Sequence, residues 1–236
     1  MEMDLSKIFT KKRLVFIAIF TVLVFIGNNI NFSALVGAEN QFFTLFQFFG
    51  PIAGAFLGPI FGAISVLFAE LIDFFVVGKE ASLLNLLRFT PMLFAAYYFG
   101  SKKRNLSIIV PLIAIAAFVL HPVGRHVWFF TLFWTIPIIA KILPKKYSNS
   151  VIAKSFGATF TAHSVGGALW IWTVPMTAAQ WIALIPIVIY ERTLFASGIA
   201  VSYIAFNALM DKVLDKLKIS VPSDILRLDK KFTVKA

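Results

Sequence analysis

The sequence contains no cysteine, and charged residues make up only 14% of its 236 positions. The first absence rules out disulfides, thiol nucleophiles and cysteine-ligated metals, while leaving the compartment open. The second rules out a soluble globular domain, whose surface needs far more charge than this. Acidic residues are scarcest, 11 against 22 Lys and Arg, and there are three histidines. The chain also lacks a nucleotide-binding motif, a paired-histidine motif and a nucleophile–base pair. No long linker interrupts it, and no stretch reads as a second, soluble domain.

What fills the chain instead is apolar: 59% hydrophobic residues and a mean hydropathy of +0.87. Runs near twenty residues recur, each enough to cross about 30 Å of hydrocarbon. They predict an all-α, polytopic membrane bundle of about eight spans, at 13–31, 41–57, 59–77, 83–100, 106–121, 126–143, 151–172 and 178–210. Residues 1–12 then form a cytosolic stub, 13–210 the transmembrane domain and 211–236 a cytosolic tail. With the N-terminus inside and sides alternating, Lys79 and Arg125 fall outside and Arg88 and Arg192 within spans; every other basic residue falls inside. That bias is the positive-inside signature and places both termini in the cytoplasm of a cell-membrane protein. The net charge of +11 is therefore a topology signal with some attraction to anionic lipid, and not a nucleic-acid footprint. The first span, Leu14 to Ile26 running on to Asn28-Asn29, has no small-residue motif directly after it and is expected to stay as an anchor.

Glycine is placed with regularity. Gly50, Gly54, Gly58 and Gly62 stand four apart, inside a duplication that reads Gly50-Pro51-Ile52-Ala53-Gly54-Ala55 and then Gly58-Pro59-Ile60-Phe61-Gly62-Ala63. Such spacing predicts close helix packing on one face. A single helix over 41–77 would be about 55 Å long, so Gly58-Pro59 is expected to turn the chain into a tight hairpin.

Polar residues gather at one end of this topology. Asn28, Asn29 and Asn31 close the first span; Glu39, Asn40 and Gln41 open the second. Glu70 and Asp73 end the third, Asn85 and Arg88 begin the fourth, and His121, Arg125 and His126 turn between the fifth and sixth. Charge in hydrocarbon costs several kcal/mol, about 2.5–3.5 on insertion scales, so this gathering predicts a polar cavity open outward. Asn28, Glu70, Asp73, Arg88, His163 and Trp170 are its candidate ligand contacts. Arg88 suits either a structural pairing with Glu70 and Asp73 or an anionic group on a substrate. His163 and Trp170, seven apart, share a helical face and bring an imidazole and an aromatic wall. Glu191 and Arg192, about 100° apart on a helix, are not expected to face one cavity together. The histidines fall in no recognised zinc spacing, and neither metal nor cofactor is expected.

The stretch from Phe48-Phe49-Gly50-Pro51 through Gly58-Pro59-Ile60-Phe61-Gly62-Ala63 to Glu70-Leu71-Ile72-Asp73 resembles the glycine-proline core of substrate-binding S components of energy-coupling factor transporters. Leu83 to Arg104, and Leu184-Ile185-Pro186 through Asn207, are similar to later spans of that family. The resemblance implies a six-span core, with 106–143 as an inserted hairpin. It also implies capture of a vitamin or similar micronutrient, with a transmembrane coupling protein and ATPase subunits as partners. Ala18 stands alone in the first span, without the alanine-rich docking face the family implies. A membrane enzyme using His163 or Glu70, and a self-sufficient carrier or channel, remain the alternatives.

Overall fold

A computed structural model describes residues 11–37, 39, 41–218 and 226–233, with side chains from Phe16 onward. The expected stub up to residue 10, Asn40, and the remainder of the expected tail lie outside the described residues.

Helix α1 (Lys11–Asn28) leads into a two-stranded antiparallel hairpin, β1 (Asn31–Ala34) and β2 (Phe42–Thr44), with Asn31 paired to Thr44 and Ala34 to Phe42. The described fold is otherwise helical, as expected, and this small hairpin is its departure from a purely all-α bundle. The next segment corrects the second predicted span. Instead of one helix over 41–57, β2 passes into a 3-10 turn at Leu45–Phe48 and then a short α2 (Ile52–Leu57). The segment still runs the length of its neighbour, α5 (Phe89–Gly100): Phe42 lies by Arg88 at one end, and Gly54 by Gly100 at the other.

The chain does turn at Gly58-Pro59, between α2 and α3 (Pro59–Val77). Gly58 has φ 84° and ψ 165°, a region open almost only to glycine, and Pro59 with its fixed φ opens α3 at its first position. The glycines therefore divide their work. Gly54 and Gly62 meet backbone to backbone across the hairpin, whereas Gly58 makes the turn itself and faces the Arg227 guanidinium. Gly50 precedes the helix and lies under Met92 and Phe46.

Next come α4 (Leu83–Leu87), capped by the Ser82 hydroxyl, then α5 and α6 (Asn105–Leu120). The sixth predicted span, 126–143, is three pieces: α7 (Pro122–His126), a 3-10 segment Trp128–Trp134, and α8 (Thr135–Ile142). Pro137 sits in the first turn of α8, and Pro91 in that of α5, where a missing N–H costs little. After α9 (Lys145–Ser148) come α10 (Val151–Thr173), capped by Ser150, and α11 (Ala178–Lys216). A capping box of Thr177 and Gln180 starts α11, a helix of 39 residues, about 58 Å, that runs on through Pro186.

Helix α10 occupies the centre, packed on α5, α6, α8 and α11. Its small residues permit this: Gly157 meets the Tyr98 ring, and Gly167 lies under Trp134. Two apolar cores form around it, one on Phe16, Phe20, Phe56 and Phe206, the other on Phe118, Phe130, Trp134 and Trp181. Lys141, expected among the cytosolic charges, is instead buried. Its ammonium donates to the carbonyls of Tyr98 (3.1 Å) and Ser101 (2.6 Å), filling the open C-terminal end of α5. Residues 226–233 fold back at the same end, with Leu226 buried, the Arg227 N–H on the Phe56 carbonyl and the Asp229 N–H on Asn207 Oδ1.

Among the described residues two helices, Pro59–Val77 and Ala178–Lys216, are long and apolar enough to cross a membrane. The outward face of α3 is Ile60, Ile64, Phe68 and Phe75, all exposed, while Gly62, Ser65, Val66, Ala69 and Asp73 turn inward. A greasy outside around small and polar inward residues is the arrangement lipid favours.

Candidate functional site

Between the two cores, at the end bearing the β-hairpin, lies a cavity of about 470 Å³. Asn28, Glu70, Asp73, Arg88, His163 and Trp170 all line it, brought there by α1, α3, the α4–α5 junction and α10. The hairpin forms a further wall through Ala34 and Gln41 to Thr44, and polar bonds tie it down. Thr44 Oγ1 donates to Asn28 Oδ1 (3.2 Å), Ser33 Oγ to Glu191 Oε1 (2.5 Å), and Trp170 Nε1 to the Val36 carbonyl (3.1 Å).

Arg88 is placed where α4 meets α5. One guanidinium nitrogen donates to Gln41 Oε1, another to the Phe42 carbonyl at 2.6 Å. Asn85, one turn earlier, accepts from the other end of the Gln41 amide (3.2 Å). Of the two readings of Arg88, the hydrogen-bonded pairing with Glu70 and Asp73 gives way to a strut to the hairpin, because the forked guanidinium reaches a carbonyl and an amide oxygen together. The cation on Asp73 is Lys79, 2.6 Å from Oδ2, from the turn that follows Gly78. Glu70 stands one turn before Asp73 on the buried stripe of α3. Its Oε2 and Asp73 Oδ1 are buried atoms with no hydrogen-bond partner among the described residues.

His163 projects from the middle of α10. Its Nδ1 accepts from Trp134 Nε1 (3.1 Å), which leaves Nε2 to carry the proton of the neutral ring, and Phe130, Phe133 and Phe160 surround the imidazole. The indole of Trp181 completes this wall, edge-on to Phe118 and Phe130, with its N–H unpartnered among the described residues. Trp170 has a holding role through Val36 besides its place on the wall.

Glu191 and Arg192 correct a further expectation: both line the cavity. They pair with each other at 3.6 Å while buried, and the guanidinium also lies over the Phe43 and Phe195 rings, 4.6 and 4.8 Å from their centroids. The length of arginine lets it swing back across the 100° step. Of the other histidines, His121 accepts the Val123 N–H as the cap of α7 and rests on Trp172, and His126 is exposed; neither lines this cavity. No group of three or more His, Cys, Asp or Glu converges as a metal site among the described residues.

Sequence reasoning missed Gln41, Ser33, Lys79 and Trp181 as functional candidates. Gln41 and Lys79 carried a signal, being polar residues at the same end as Glu70. Ser33 and Trp181 carried none, since a lone serine and a boundary tryptophan read as loop and interfacial belt.

The sequence profile of the family described as "ECF transporter, substrate-specific component" matches residues 12–191. The chain belongs to that family. It is accordingly a membrane protein and a transporter component, and the resemblance carried by the glycine-proline segment holds across most of the chain. An uncharacterized protein of Methanocaldococcus jannaschii is 25% identical over 200 residues, covering 78% of this chain and 67% of the relative. No solved structure matches the chain. The profile ends at Glu191, so Arg192 and the remainder of α11 lie beyond it.

Proposed function

We infer that this family member captures a small micronutrient, of the vitamin kind, in the cavity beneath the β-hairpin, and that coupling and ATPase chains drive its uptake. The observation that carries this reading is the convergence of Glu70, Asp73, Arg88, His163 and Trp170, from separate elements, on one cavity of about 470 Å³, a volume suited to a small organic molecule. In this reading the ligand meets the acids of α3 on one side and the His163 Nε2–H and Trp181 on the other. Arg88 and Trp170 hold the hairpin over it, and Asn28 fixes the hairpin's return through Thr44. The purified chain, reconstituted alone in liposomes, should retain solute by native mass spectrometry without moving it down a gradient. Transport by the chain alone would overturn the reading in favour of a self-sufficient carrier.

The cavity end faces outward and both termini face the cytoplasm, with eight crossings in all; the distribution of lysine and arginine supports this. The chain has no native cysteine, so single introduced ones report cleanly. Glu80→Cys and Arg125→Cys, both exposed positions, should react with an impermeant thiol reagent on intact cells. Lys103→Cys and Lys146→Cys should react only after lysis. Labelling of Lys103→Cys from outside would invert the arrangement.

A further inference from the structure

Glu70 Oε2 and Asp73 Oδ1 are buried, line the cavity, and have no donor among the described residues. Asp73 is only 1% exposed. Buried acceptors in folded proteins are almost always satisfied, and unpaired buried carboxylates are the costliest exceptions. The cation now beside them is the Lys79 ammonium on Asp73 Oδ2, whose side chain is 42% exposed and comes from a turn outside the helices. Such a half-solvated lysine can return its ammonium to water, which a fully buried cation cannot do. The other cations of the lining are engaged elsewhere: Arg88 on Gln41 and Phe42, Arg192 on Glu191 and two phenyl rings.

By formal charge, the lining acids Glu70, Asp73, Glu80 and Glu191 outnumber the lining cations Lys79, Arg88 and Arg192 by one. Besides the acids, the walls of the same cavity carry the aromatic side chains Phe74, Phe89, Trp170 and Trp181. A metal ion suits this poorly. Hard divalent ions collect about six oxygen ligands, and no cluster of three or more ligating residues exists among those described.

We propose that the molecule taken into this cavity is an organic cation. A protonated amine or amidine-like head displaces Lys79 and sits on Glu70 Oε2 and Asp73 Oδ1, and an apolar or aromatic body lies against Trp170 and Trp181. The aromatic walls favour such a ligand twice, through burial of its body and through the attraction of ring faces for positive charge. The proposal rests on the capture reading and adds the charge of the captured molecule.

The test uses the small-molecule fraction of a rich growth medium, divided by ion exchange at neutral pH into cationic, neutral and anionic pools. Each pool is titrated into the purified full chain in detergent, with thermal stability and native mass as readouts. The cationic pool should raise the melting temperature and leave a bound mass; the other two should do neither. Glu70→Gln and Asp73→Asn should each require at least about tenfold more of the cationic pool for the same shift, the loss expected of one charge-assisted bond. Lys79→Ala should require less, by up to about fivefold, because the competing ammonium is gone. A shift from the anionic or neutral pool would overturn the cation proposal and leave capture standing. A shift from the cationic pool that is unchanged in both acid variants, or weakened in Lys79→Ala, would overturn the assigned seat. No shift from any pool would overturn the capture reading itself. The wild-type pools decide the ligand's charge even where a variant fails to fold.

Discussion

Arg192→Met should destabilise the protein in detergent by about 3–5 kcal/mol, read as a fall in melting temperature or in denaturant midpoint. The reason is the company that Arg192 keeps. It is 2% exposed, 3.6 Å from a Glu191 carboxylate that is itself buried, and sandwiched by Phe43 and Phe195. Removing the guanidinium leaves Glu191 with the Ser33 hydroxyl as its donor among the described residues, and one neutral hydrogen bond does not solvate a carboxylate. The double variant Glu191→Gln/Arg192→Met removes both charges and should recover most of the loss, since a buried ion pair exchanged for uncharged groups is often close to neutral. Equal destabilisation of the single and double variants would show that the arginine acts through its packing on the rings and not through its charge.

Gly54→Leu should abolish the folded protein, while Gly166→Ala leaves its melting temperature unchanged. A side chain at Gly54 would start inside the Ala96 carbonyl, and the Gly100 backbone nitrogen approaches the same point. There is no flexible side chain to yield, so α2 would have to leave α5. Overpacking commonly costs about 1–3 kcal/mol and more where the neighbour cannot move, as here. At Gly166 the nearest atom to a built Cβ is Pro91 Cγ at 3.6 Å, an ordinary contact. Size-exclusion profiles and thermal unfolding of the two variants check the contrast; a monodisperse Gly54→Leu protein of normal stability would remove the close packing of these segments from the account.

Several features were readable from residue order alone because they depend on local chemistry. Proline after glycine marked the turn at Gly58, since few other pairs permit that backbone. The apolar runs located α3, α10 and α11 to within a few residues at most of their ends. The second predicted span failed for a local reason as well: 41–57 is as apolar as any helix, and hydropathy does not distinguish a helix from an apolar strand and 3-10 turn. The tertiary fold decides that case. Strand pairing satisfies β2, and Gly198 and Gly27 accommodate the rings of Phe48 and Phe49, leaving the segment no need to be helical.

At the site, the sequence by itself determined which polar residues share one end, because placing charge in hydrocarbon is costly and the spans dictate ends. It determined the membrane class and the glycine-proline hairpin for the same kind of reason, each written in a few neighbouring residues. Only the tertiary structure decided which polar atoms meet. Arg88 is spent on Gln41 and the Phe42 carbonyl, Lys79 and not Arg88 reaches Asp73, and Glu191 and Arg192 face inward together. Partners in such pairs are set by side-chain length, rotamer and the position of a distant backbone. Hydrogen bonding acts over about 3 Å, a precision that the spacing of residues along a helix does not carry.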